Sequence, residues 1–215
     1  MRSKQLKTPS FKHRHPTSQT WVSFDGANDS ANLSSAITSS GAGSISLWVN
    51  YSYVSTARYY FFAAQANPRI YIDAANQALQ LSSSASANGS LPKDQWNHVV
   101  WTRSSGNSVN MYVNGGSNNV MTLSYSSALS FQSLFRHANG SFALNAKVDE
   151  CAMWVDTELS VQQVTDIYNS GAPGDLTAFS PTHWWRMGDT VGGTGTTVTD
   201  TIAGNTMNLV NGPTF

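Results

Sequence analysis

With 215 residues and 40% hydrophobic content, the chain has the length and apolar material for one large β-domain. Only 11% of its residues are charged, well below the roughly 25% usual for soluble domains, and Ser, Asn, Thr and Gly take their place. No apolar run approaches the roughly 18 residues that mark a membrane span, and a single cysteine, Cys151, excludes an intramolecular disulfide framework.

The formal charge of zero is a balance of two unequal parts. Residues 1–20 carry Arg2, Lys4, Lys7, Lys12 and Arg14, with His13 and His15 and no acid. The remainder holds seven basic and all twelve acidic side chains, a net −5. The chain thus reads as a basic arm, residues 1–20, on a mildly acidic body, residues 21–215. Pro9 and Pro16 forbid a helix in the arm, which is expected to be extended. It has no apolar stretch of the kind a secretion signal needs, so synthesis and folding in the cytoplasm are expected.

From Trp21 onward strand patterns follow closely. Trp21–Gly26 reads as a strand entering a turn. Ser44–Asn50 alternates, with Ile45, Leu47 and Val49 on one face and Trp48 on the other. Tyr59–Phe62 and Arg69–Ile72 are predicted strands joined by a turn at Asn67-Pro68, and Ala78–Leu81 follows. Trp96–Arg103 and Val109–Val113 form a predicted hairpin about Ser105-Gly106-Asn107, and Asn114-Gly115 marks the next turn. Further strands are predicted at Met121–Tyr125, Ser133–His137, Lys147–Val155, His183–Met187 and Met207–Val210. Ser160 and Gln163 spell a capping box for one short helix, with Leu159, Val164, Ile167 and Tyr168 on its apolar face and Gly171 with Pro173 ending it. Many strands and one helix mean an all-β fold: a two-sheet antiparallel sandwich or jelly roll.

Several motifs stand in order: Phe24-Asp25-Gly26-Ala27-Asn28-Asp29, Ser44-Ile45-Ser46-Leu47-Trp48-Val49, Trp96-Asn97-His98-Val99-Val100, Tyr112-Val113-Asn114-Gly115, and Val148-Asp149-Glu150 followed by the Leu159-Ser160 helix. Together they resemble the laminin-G-like, concanavalin A-like lectin/glucanase superfamily, from about Trp21 to the C-terminus. The tail His183-Trp184-Trp185-Arg186-Met187-Gly188-Asp189 is similar to versions found in marine bacteriophage structural proteins. The resemblance implies a jelly roll, glycan or protein ligands, and often a structural calcium. Asp25 in its turn and Asp149, expected on the interior-facing side with Cys151 and Met153, are the candidate Ca²⁺ ligands, with loop carbonyls completing the shell.

The residues argue against an enzyme. Glycosidases work with two flanking carboxyl groups, and the chain has two glutamates, Glu150 and Glu158, outside any such pattern. No nucleophile elbow is present, Cys151 reads as a core residue, His98 as a structural histidine, and no zinc spacing occurs. For sugar stacking, Trp48, Trp101 and Trp184 lie on strands and are expected in cores, leaving the loop residues Tyr51, Tyr53 and Tyr125. No glycan site is located by spacing.

The expected function is therefore a non-enzymatic bacteriophage virion protein, a capsid decoration or tail-associated module. It would form a homo-oligomer and dock on other virion proteins through Arg2, Lys4, Lys7, Lys12 and Arg14. The acidic body argues against nucleic acid as partner, and nothing points to a membrane. The alternative is a lectin that recognises surface glycans.

Overall fold

The computed structural model describes residues 20–52, 58–63, 69–137, 140–188 and 193–215. The arm as far as Gln19, Tyr53, the Asn67-Pro68 turn and Asp189 lie outside the described residues. The rest is a two-sheet jelly-roll sandwich with antiparallel pairing throughout. The first sheet runs β1 (Val22–Asp25), β12 (Asn145–Val155), β3 (Gly43–Tyr51), β8 (Asn97–Arg103), β9 (Ser108–Val113) and β10 (Asn119–Ser124). Its β12 also pairs with β13 (His183–Trp185). The second sheet runs β14 (Gly193–Thr194), β15 (Thr197–Val198), β16 (Met207–Val210), β2 (Ser30–Ser39), β11 (Leu129–Leu134), β4 (Arg58–Ala63), β5 (Arg69–Asp73), β6 (Ala78–Leu81) and β7 (Ser84–Ala85).

Alternation sets the main core. Ile45, Leu47 and Val49 of β3 and Val99 and Trp101 of β8 point between the sheets, where they meet Leu79, Phe62, Phe131 and Met207. Trp48, as its position predicts, takes the other face, opposite His98 of β8. That outer face is covered as well. Val100, Tyr112, Ala152, Trp154 and Trp184 form a second core with Leu159, Val164, Ile167 and Leu176. Every residue of β8 is consequently buried.

Helix α1 (Val161–Tyr168) supplies that cover. Its capping box forms as predicted: the Gln163 amide donates to Ser160 Oγ (3.2 Å) and the Ser160 amide to Gln163 Oε1 (2.9 Å). The helix ends earlier than predicted, because Asn169 (φ 46°) already takes the left-handed cap position two residues before Gly171. Gly116, in the turn after β9, lets the helix approach. A Cβ there would stand 2.1 Å from the Val161 carbonyl oxygen.

Three expectations change. β2 carries no predicted strand, since its run of Ser, Ala and Asn lacks an apolar period; yet Ala31, Leu33 and Ile37 are buried and it pairs on both sides. β11 lies at Leu129–Leu134 rather than Ser133–His137, and Phe135 (φ 64°) breaks it. Asp149 does not share a face with Cys151 and Met153. The β12–β3 register shifts between Asp149 and Ala152, and Glu150 adopts φ 47°. This bulge turns Asp149 to the outer face, across from Trp48.

One end of the sandwich is tied by Arg103, the last residue of β8 and fully buried. Its guanidinium donates to the carbonyls of Gly41 (2.5 Å), Ser127 (2.7 Å) and Ser39 (3.0 Å), joining the β2–β3 and β10–β11 loops. Replacing it with methionine leaves three carbonyls to find new donors. Arg103→Met is expected to lower the unfolding free energy by about 3 kcal/mol or more, measured by urea denaturation. A loss under about 1 kcal/mol would mean that water satisfies those carbonyls.

Candidate functional site

Reactive side chains on the first sheet are held by structural partners. The bulge aims Glu150 at the tail: Trp184 Nε1 donates to Glu150 Oε2 (2.5 Å) and Arg186 Nε to Oε1 (3.3 Å). Burial, reinforced by the neighbouring Asp149 charge, raises the Glu150 carboxyl to about 7, against the pull of Arg186 and Trp184. His98 shares a hydrogen bond between Nε2 and Ser46 Oγ (2.8 Å) and lies against Trp48 and Tyr168, at 5.0 and 6.0 Å between ring centroids. Burial lowers its pKa to about 3, so it is neutral at physiological pH. Cys151 is in the main core, and burial raises its thiol pKa. His183 Nδ1 contacts Asp200 Oδ2 at 2.7 Å, and Asp200 also accepts amides from Trp184, Ile202 and Ala203. That pair orders the tail.

The two predicted cation ligands are not brought together. Asp25 pairs with Asn145 and Val22 with Val148, so the Asp149 position lies four residues along the ladder from Asp25, roughly 13 Å. A Ca²⁺ held jointly by Asp25 and Asp149 does not fit. The carboxylate beside Asp25 is Asp29, buried, whose Oδ2 accepts the Asp25 amide at 2.9 Å. Ca²⁺ takes six to eight oxygens, and no three His, Cys, Asp or Glu side chains converge among the described residues. The five basic arm residues, Arg2, Lys4, Lys7, Lys12 and Arg14, lie outside the described residues.

Of the aromatic candidates, Trp48, Trp101 and Trp184 are in cores as expected. Tyr51 is not a loop residue: it is buried at the end of β3, and its hydroxyl donates to the Leu91 carbonyl at 2.6 Å. Tyr125 packs half-buried against the main core.

The second sheet carries a different arrangement on its outer face. β4, β5 and β6 pair so that Tyr60, Tyr71 and Gln80 lie in one row and Arg58, Asp73 and Ala78 in the next. Cross-strand partners share a face, and both tyrosines stand apart from the main core. Their rings stack at 4.8 Å between centroids. The loop between β11 and β12 adds Phe142, 5.6 Å from Tyr60, and His137, 5.0 Å from Tyr60. Tyr71 donates its hydroxyl to Gln80 Oε1 and the Ser82 carbonyl, and the Arg58 guanidinium stands 5.5 Å over its ring. Tyr60 and Tyr71 are a buried floor; Phe142, 44% exposed, and the exposed Arg58 are what a ligand meets. An exposed aromatic ring beside amide, carboxylate and guanidinium groups is suited to a sugar ring and its hydroxyls. The signal was present as Tyr in an outward position on two successive strands, but their pairing was not readable.

A polar hollow of about 500 Å³ lies beside the β9–β10 turn, lined by Ser90, Asn114, Asn118 and Asn119 among others. The Asn114, Asn118 and Asn119 amides donate to Asn97, the Val113 carbonyl, Asn110 and Thr122, so they serve the turn itself.

The family model described as the concanavalin A-like lectin/glucanases superfamily, of laminin-G type, matches residues 25–165. No curated protein matches the chain. A candidate carbohydrate-binding protein of Bacteroides ovatus superposes with a TM-score of 0.64 at 14% identity, over 88% of this chain and 59% of its own length. Domain 4 of an extracellular arabinanase of Geobacillus stearothermophilus, solved with arabinotriose, gives 0.46 at 22% identity, over 60% and 68%. The binding domain of paraclostridial mosquitocidal protein 1 gives 0.47 at 12%, over 69% and 43%.

Glu150 and His98 give opposite pH dependences. Glu150 keeps its proton up to about 7 when folded and releases it near 4.5 when unfolded, so its contribution to stability falls as pH rises between these values. His98 accepts its proton near 6.5 only when unfolded, so stability falls as pH drops from 6.5 toward 3. In Glu150→Gln the first effect disappears. Its stability relative to the parent should rise from pH 5 to pH 7 by up to about 1.4 kcal/mol per unit in urea denaturation. A pH-independent difference would show that Glu150 titrates alike in both states.

Proposed function

We propose that this chain, which belongs to the concanavalin A-like lectin/glucanase superfamily, is a non-catalytic saccharide-binding domain that presents the outer face of its second sheet to the ligand. The observation that carries this reading is the Tyr60–Tyr71 floor with Phe142 exposed above it and Arg58, Asp73 and Gln80 alongside. A catalytic reading has less support: Glu150 is buried against Trp184 and Arg186, and Glu158 is exposed just before α1, apart from Glu150.

A second reading, attachment to a virion or another protein lattice through the arm, is favoured by one observation. Residues 1–20 hold five basic and no acidic side chains, while the rest of the chain is net −5.

Titration of the chain against a panel of neutral and acidic saccharides tests the first reading. Phe142→Ala should weaken the best ligand about tenfold, the upper range for loss of one aromatic contact. No binding to any saccharide defeats the reading, and full affinity in Phe142→Ala moves the site elsewhere. For the second, deletion of residues 1–19 should abolish co-sedimentation with particles, and full retention would defeat it.

A further inference from the structure

We infer that the saccharide taken by this face is acidic, bearing carboxylate or sulfate groups; this rests on the binding face proposed above. The body has seven lysines and arginines against twelve acids, so bases gathered in one place call for a reason. Two of the seven bracket Tyr71. Arg58 stands over its ring, and Arg69, two residues earlier on β5, lies on the same face. Burial raises the Tyr71 phenol, and both guanidiniums pull against that rise, as close cations do.

Among the described residues, the other arginines are committed to acceptors within the protein. Arg103 binds three carbonyls, Arg136 the carbonyls of Gly140 and Asn28, and Arg186 the Glu150 carboxylate. Arg69 differs, because its Nε is buried without a hydrogen-bond partner. The acid placed to neutralise the pair is Asp73, across from Arg58 on the ladder. Its oxygens instead accept the Asn76 amide (3.2 Å), Asn76 Nδ2 (2.9 Å) and Gln80 Nε2 (3.1 Å). The face therefore offers the exposed Arg58 guanidinium, with the half-buried Arg69 beside it, next to the exposed Phe142 ring. A guanidinium fork matches the paired oxygens of a carboxylate or sulfate.

The test uses the full chain at about 150 mM salt, where long-range attraction is screened. The probes are a neutral β-glucan, polygalacturonate, dextran sulfate and, as a polyanion without sugar, poly-glutamate. The variants are Arg58→Gln, Arg69→Gln, Phe142→Ala and Lys147→Gln, the last a base on the first sheet. Polygalacturonate or dextran sulfate should bind at least about tenfold tighter than the β-glucan, with each arginine variant losing about tenfold and Lys147→Gln unchanged. Which of the two polymers binds separates carboxylate from sulfate. Equal binding of the β-glucan with indifferent arginine variants overturns the acidic ligand and leaves saccharide binding standing. Poly-glutamate bound as tightly, with Phe142→Ala indifferent, reduces the face to an ion exchanger and overturns the inference. No binding to any polysaccharide defeats the underlying reading instead. Arg58 is exposed, so its variant decides the matter even where Arg69→Gln fails to fold.

Discussion

The bulge at Asp149–Glu150 reconciles two demands on β12. Strict alternation would place Val148 and Cys151 on opposite faces, and would turn either Asp149 or Glu150 into the main core. An unpaired carboxylate there would be costly. With Glu150 in a left-handed conformation, Val148 and Cys151 both face inward and both acids face outward. The acids then become useful to the outer layer. Glu150 fastens Trp184 and Arg186, so β13 and the tail are held against the strand that also pairs with β1 and β3.

The middle of the first sheet is covered on both faces. The helix, Trp184 and Leu176 occupy its outer side, and the two sheets occupy each other's inner sides. Outward residues of β2, β11 and β16 also stand outside that cover, and the face proposed to meet a ligand is the outer side of β4, β5 and β6. Its floor needs little reorganisation on binding, since Tyr60 and Tyr71 are already stacked and Tyr71 is already hydrogen-bonded. Ordering costs at a binding surface of this kind are correspondingly small.

What could be read from the sequence was whatever periodicity encodes. β3, β8, β9 and β16 have apolar alternation and were placed well, and the capping box at Ser160 and Gln163 marked the helix start. β2 escaped because only Ala31, Leu33 and Ile37 mark its buried face among ten mostly small polar residues. The bulge escaped for a different reason: Lys147–Val155 alternates acceptably as written, and only the pairing with β3 shows that the phase slips. Without that one slip, the strand read alone puts Asp149 on the inner face; its pairing with Asp25 rests on the family resemblance. Arg103 looked like a strand end, since three carbonyls from two distant loops leave no local mark. The outer tyrosines were visible singly, but a platform is a property of register, which short strands do not specify alone.

Charge was the feature most easily misread. A net of −5 for the body argues against anionic partners when taken as a sum. A bound ligand feels only charges within about a Debye length, roughly 8 Å at physiological salt. At that range the geometry near Tyr71 counts two guanidiniums and one carboxylate already engaged by amides. The acids that make the total negative lie largely elsewhere: Asp149 and Glu150 under the tail, Asp200 in its loop, Asp25 and Asp29 in the first turn. A body that is acidic on average can therefore present a basic face, and what that face selects depends on where β4 and β5 set Arg58 and Arg69.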